Sequence, residues 1–267
     1  MEMRNNSKMI FTITGGRTGT TSLTSFLGSA LNVPAIHEPL SIEDFGTRMP
    51  DIKIMRSFNE YGNNALVQEF WLNKLKDIND EIYVETNHTL SKCGLIENLV
   101  RHNLKDTVKI IILRRKILDQ CISYLLRNDF ANVTTMWQWY LHPNYRKNLV
   151  TFDRYRDLGG LGRVIWYVHE MNARQAYYLQ KFQDHIDFIE INIEEMQFEE
   201  ERRRLSKWLK DLKNPIFPRI EILNANRMKA SKSLISATRR AIELVGIDVS
   251  AVARDAILSG FTFEKDK

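Results

Sequence analysis

Residues 9–23 read MIFTITGGRTGTTSL, and the fold follows from this stretch. Met9 to Gly15 is a short apolar, β-branched run, the signature of a buried strand, and from Thr20 to Leu31 apolar residues recur at helical spacing. A strand, a glycine-rich turn and a helix start in immediate succession form the context of a phosphate-binding loop. Glycines let the backbone approach an anion closely, successive amides converge on its oxygens, and the helix N-terminus adds unsatisfied N–H donors and a favourable dipole. Thr20, Thr21 and Ser22 add hydroxyls. Gly15, Gly16, Arg17, Thr18, Gly19, Thr20, Thr21 and Ser22 are therefore candidate anion-binding residues.

Further β-rich runs occur at 81–87 (EIYVETN), 108–114 (VKIIILR) and 186–193 (IDFIEINI). The second of these is too uniformly apolar for a strand with a wet face, so it belongs at the centre of a parallel sheet covered on both sides, joined by right-handed crossovers. Stretches 20–31, 64–78, 92–102, 116–127 and 161–185 carry the helical period and supply the covering helices. Beyond the fourth strand the chain reads as helical at 199–212, 232–245 and 249–258, punctuated by Asn214-Pro215, Phe217-Pro218 and Gly246. The fold class is α/β: a three-layer α/β/α arrangement with a central parallel sheet and a helical C-terminal part. Residues 1–267 read as one domain, in which 131–162, irregular and rich in Trp, Tyr, Asn and Arg, reads as an acceptor-side insertion or lid.

The loop departs from the nucleoside triphosphatase pattern GxxxxGK[ST]. Gly19 is followed by Thr20 where lysine belongs, and the residue five before Gly19 is Thr14. The cation sits instead at Arg17, inside the loop. This displacement, with the small hydroxyl residues after it, resembles the 5′-phosphosulfate loop of the sulfotransferases, P-loop relatives that use 3′-phosphoadenosine 5′-phosphosulfate; the chain is most similar in character to their bacterial and carbohydrate-modifying members. That family carries an Arg at the end of a buried strand and a Ser eight residues on, often with Asp between, which hold the donor's 3′-phosphate. Arg115, Asp119 and Ser123 reproduce the spacing. Arg114 is an alternative occupant, because adjacent residues at a strand end point to opposite sides. The polar loop NANRMKASKS at 224–233 resembles a late basic loop of the family that closes over the donor, which adds Arg227 and Lys229 to the donor-binding candidates, with Ser231 or Ser233 otherwise capping the next helix.

The resemblance implies a P-loop-type sulfotransferase fold and in-line transfer of a sulfuryl group to an acceptor hydroxyl; the alternative readings are a P-loop small-molecule kinase, from whose pattern Thr20 departs, and a non-catalytic nucleotide-binding module. Arg17 would stabilise the developing charge, and a carboxylate or imidazole would take the acceptor proton. Glu38, in the HEPL turn at 37–40, is the first choice for that base and His88 the alternative, with Glu85 and His37 behind them. No metal is required. The HEPL turn and the aromatic residues Trp137, Trp139, Tyr140, Tyr145, Tyr155, Trp166 and Tyr167 favour a glycan or glycolipid acceptor, with a small phenol or lipid alcohol as the alternative, although such aromatics also pack lids and cores. Glu170 and Arg174 are spaced as an intrahelical pair.

Composition sets the remaining bounds. Thirty-eight Lys plus Arg against 33 Asp plus Glu give a net charge of +5 without concentrated basic runs, which suits an anionic small ligand better than nucleic acid. Two cysteines, Cys93 and Cys121, in sequence that reads as helix, build neither a disulfide framework nor a zinc cluster. No apolar run approaches the roughly 20 residues of a membrane span, and Met1 to Ser7 is polar, unlike a signal peptide. These features predict a cytoplasmic enzyme that is not an integral membrane protein.

Overall fold

The computed structural model describes residues 7–130, 141–213, 215–216 and 229–266. Strand β1 (Lys8–Ile13) is the third of five parallel strands in the order β2-β3-β1-β4-β5, with β2 at Ala35–His37, β3 at Ile82–Thr86, β4 at Val108–Arg114 and β5 at Asp187–Asn192. Two-residue alternation divides β1 between the faces. Met9, Phe11 and Ile13 pack with α2 (Ile52–Tyr61), α3 (Ala65–Asp77), α4 (Leu95–Arg101) and α6 (Gly159–Phe182), whereas Ile10 packs with α1 (Thr20–Leu31) and α7 (Glu199–Leu209). β4 is buried on both faces at Ile110, Ile111, Ile112 and Leu113, as its uniform apolarity requires.

A third apolar cluster lies among α5 (Ile117–Arg127), α6 and α8 (Lys232–Val245), and α9 (Val249–Leu258) packs along α6. None of the described helices is long and apolar enough to cross a membrane.

Three local differences from the sequence reading have physical causes. β2 has only three half-buried residues, too few for a periodic pattern, and becomes a strand through its pairing of Ala35 with Val84 and His37 with Thr86. α2 was also not anticipated; the Asp51 carboxylate caps it by accepting from the Ile54 amide. The expected helix at 92–102 divides into a short 3-10 turn, Leu90–Lys92, and α4, because Gly94 adopts φ 81° between them. Cys93 therefore lies between the turn and α4, while Cys121 lies within α5, and both are buried.

The proposed lid also needs correcting. Residues 131–140, with Trp137, Trp139 and Tyr140, lie outside the described residues, but 141–162 belong to the body of the molecule. The amides of Leu149 and Val150 donate to Glu170 Oε2 at 2.9 and 2.7 Å, and Trp166 Nε1 donates to the Val150 carbonyl at 2.9 Å. Tyr155, Trp166 and Tyr167 are buried core residues rather than an open stacking surface.

Candidate functional site

The turn between β1 and α1 is held from behind by six side chains from four other segments. Gln175 Nε2 donates to Ile13 O at 2.9 Å and Ser91 Oγ to Thr14 O at 3.3 Å. Gly15 O accepts from both Tyr124 Oη (2.5 Å) and Tyr167 Oη (3.0 Å), Gly16 O accepts from Gln120 Nε2 (2.7 Å), and Arg17 O accepts from Arg115 Nη1 (2.9 Å). Thr14 and Thr18 close the turn with a hydroxyl pair at 2.5 Å. Every carbonyl from Ile13 to Arg17 thus has a side-chain donor. The amides of Gly16, Arg17, Thr18, Gly19 and Thr20, by contrast, make no hydrogen bond among the described residues. A buried turn with satisfied carbonyls and available amides is a receptor for an anion. Gly19 must be glycine: its φ is +84°, and a β-carbon there would lie 2.6 Å from Ile193 Cγ1.

The cations gather at the same turn. Arg17, itself at φ 55°, donates from Nε to Ser123 Oγ at 3.1 Å. Burial, and then the nearby Arg127, lower the pKa of Arg17, with Asp129 acting in the opposite sense, yet a guanidinium remains charged at any physiological pH. Arg115 reaches the turn, 3.9 Å from Glu194, while Arg114 faces away, donating to Glu190 at 2.6 Å and Asn172 at 3.4 Å. The two adjacent arginines do point to opposite sides, and Arg115 is the one beside the glycines. Ser123 and Arg115 both touch Arg17, so the two candidate anion sites meet at that residue. Asp119 is exposed on the same helix. Lys229 is exposed, Arg227 lies outside the described residues, and Ser231 caps α8 by accepting from the Leu234 amide at 3.1 Å.

The two competing bases are partners. His88 Nδ1 lies 2.5 Å from Glu38 Oε1, and His37 Nε2 is 3.9 Å from the same oxygen and 2.8 Å from Thr20 Oγ1. Thr20, His37, Glu38 and His88 therefore run in sequence from the first turn of α1 to the end of β3. Burial alone would raise the Glu38 pKa, but the charge and hydrogen bond of His88, with His37 behind them, bring it down to about 2. His88 is pushed below its ordinary value by burial, against the pull of Glu38. Near neutral pH this is an ionised Glu38 accepting from Nδ1–H of a neutral His88, which makes Nε2 the basic ring nitrogen.

Glu85 is otherwise engaged: Lys74 lies 2.7 Å from its carboxylate and Tyr83 Oη donates to it at 2.7 Å, in a buried network linking α3 to β3. Sequence reasoning missed the residues that build the turn from behind, namely Ser91, Gln120, Tyr124 and Gln175. One signal was readable: Gln120 and Tyr124, four apart, place polar tips on the buried face of α5. No protein-family model matches the chain, and no curated protein is significantly similar to it.

Proposed function

We propose that the protein is a sulfotransferase acting in the cytoplasm, moving a sulfuryl group from 3′-phosphoadenosine 5′-phosphosulfate to a hydroxyl of a glycan or glycolipid acceptor. The observation that carries this reading is a buried turn with five available amides and a guanidinium, linked through Thr20 and His37 to a carboxylate–imidazole pair. The donor, when bound, supplies the sulfuryl group and leaves as adenosine 3′,5′-bisphosphate. The residues fit a ligand with two anionic groups: the turn amides and the Thr20 and Thr21 hydroxyls hold its 5′ end, Arg17 offsets charge developing on oxygen, and Arg115 with Ser123 holds the ribose phosphate. His88 accepts the acceptor proton at Nε2, and Glu38 fixes the tautomer and stabilises the imidazolium that forms. The two candidate bases thus act together, His88 as the base and Glu38 as the group that orients it.

Calorimetry with adenosine 3′,5′-bisphosphate and with ATP, each with and without magnesium, tests this. The bisphosphate should bind without metal, and Arg115→Ala and Ser123→Ala should each weaken it by about tenfold, the worth of one charge-assisted hydrogen bond. ATP binding as tightly as the bisphosphate would overturn the proposal. So would sulfuryl transfer that survives His88→Asn undiminished.

A further inference from the structure

Beneath the glycine turn lies a buried cation that the reaction above does not use. Lys92, in the 3-10 turn before α4, is fully buried and donates from Nζ to Tyr167 Oη at 2.8 Å, with the ammonium 5.2 Å from the Tyr167 ring centroid. Tyr167 Oη in turn donates to Gly15 O at 3.0 Å. The Gly15 carbonyl and the Gly16 amide are two ends of one peptide unit. A donor chain that ends on the carbonyl therefore polarises the amide, and in a low-dielectric interior such polarisation is transmitted along successive hydrogen bonds.

We propose that Lys92 is a positioning residue which, through Tyr167 and the Gly15–Gly16 peptide, strengthens the turn's grip on its anion without touching it. The inference rests on the turn being an anion receptor and adds to the proposed function a control on donor affinity. The groups facing Lys92 are Tyr167 and Arg174 of α6, Glu38 and His88 of the base pair, and its neighbour Cys93. Burial first, then Arg174, lower the pKa of Lys92 to about 7, with Glu38 opposing. The ammonium is thus present below that pH and lost above it, so anion affinity should fall as the pH rises through neutrality.

Two variants test this, Lys92→Met, which keeps the length of the side chain, and Tyr167→Phe, which keeps the ring and cuts the chain. Each is first checked for folding by thermal melting. Calorimetry at pH 6 and pH 8.5 then uses two probes, adenosine 3′,5′-bisphosphate and inorganic pyrophosphate, and the Gly16 amide is followed by NMR in the free protein. The wild type should bind both anions about tenfold more tightly at the lower pH than either variant does, the scale of an ordinary coupling between two sites, and its Gly16 amide should inflect near neutrality. Both variants should lose the difference and the inflection. Variant affinities equal to wild type, or an inflection that survives Lys92→Met and so belongs to His88, would overturn the inference. Should the wild type bind pyrophosphate but not the bisphosphate, the sulfotransferase reading falls while the pyrophosphate arm still decides the role of Lys92.

Discussion

Glu38 shows how much a single side chain is altered by its surroundings. Its backbone takes φ 48°, its amide donates to Thr86 O at 3.2 Å, and the carboxylate is thereby turned back onto His88. The folded-state pKa of about 2 lies below the ordinary 4.5, so its contribution to stability is complete above 4.5 and lost as pH falls toward 2. His88, depressed by burial, acts in the same direction from its own ordinary value of 6.5 downward. Urea unfolding between pH 7 and pH 3 should show the wild-type midpoint falling with acid, most steeply below pH 4.5, and Glu38→Gln should lose the lower part of that slope. Parallel curves for the two proteins would contradict an ionised Glu38 held by His88.

At the scale of elements, helix α5 is the main support of the site. Gln120, Ser123 and Tyr124 come off one face of it to meet Gly16 O, the Arg17 guanidinium and Gly15 O. That geometry follows from the three- and four-residue spacing of the helix and from β4, which delivers its start to the carboxyl edge of the sheet beside β1. Tyr124→Phe leaves Tyr167 as the donor to the Gly15 carbonyl. The expected result is a loss of about 1 kcal/mol in stability, the net worth of one hydrogen bond, with weaker pyrophosphate binding measured by calorimetry. Unchanged binding at reduced stability would confine Tyr124 to a packing role.

Across the whole molecule, the buried Glu170–Arg174 pair joins parts of the chain that share no sheet. Its Nε–Oε1 distance is 2.7 Å and neither side chain is exposed. Glu170 holds the Leu149 and Val150 amides, while Arg174 reaches the Lys147 carbonyl at 3.2 Å and lies over the Phe263 ring at 4.9 Å. Removing one partner leaves the other charge buried and uncompensated, so Glu170→Gln should cost about 4 kcal/mol and lower the melting temperature by about 10 °C, read by calorimetric melting. The sequence showed this only as a pair spaced four apart, because spacing within a helix says nothing of what the helix is buried against. The glycine turn, the central strand, the helix that follows it and the candidates Arg17, Arg115, Ser123, Glu38 and His88 were all legible, since strand and helix periods and backbone geometry are local properties of the chain. The three-residue β2 was not, since its strand character comes from pairing with β3. By itself the sequence determined the layered α/β fold and the chemistry available at the head of the sheet. Only the tertiary structure decided that Glu38 and His88 are one pair, that Arg115 and not Arg114 faces the turn, and that Lys92 lies behind it. Those are contacts between residues 50 to 98 positions apart, made when the sheet brings its strand ends together.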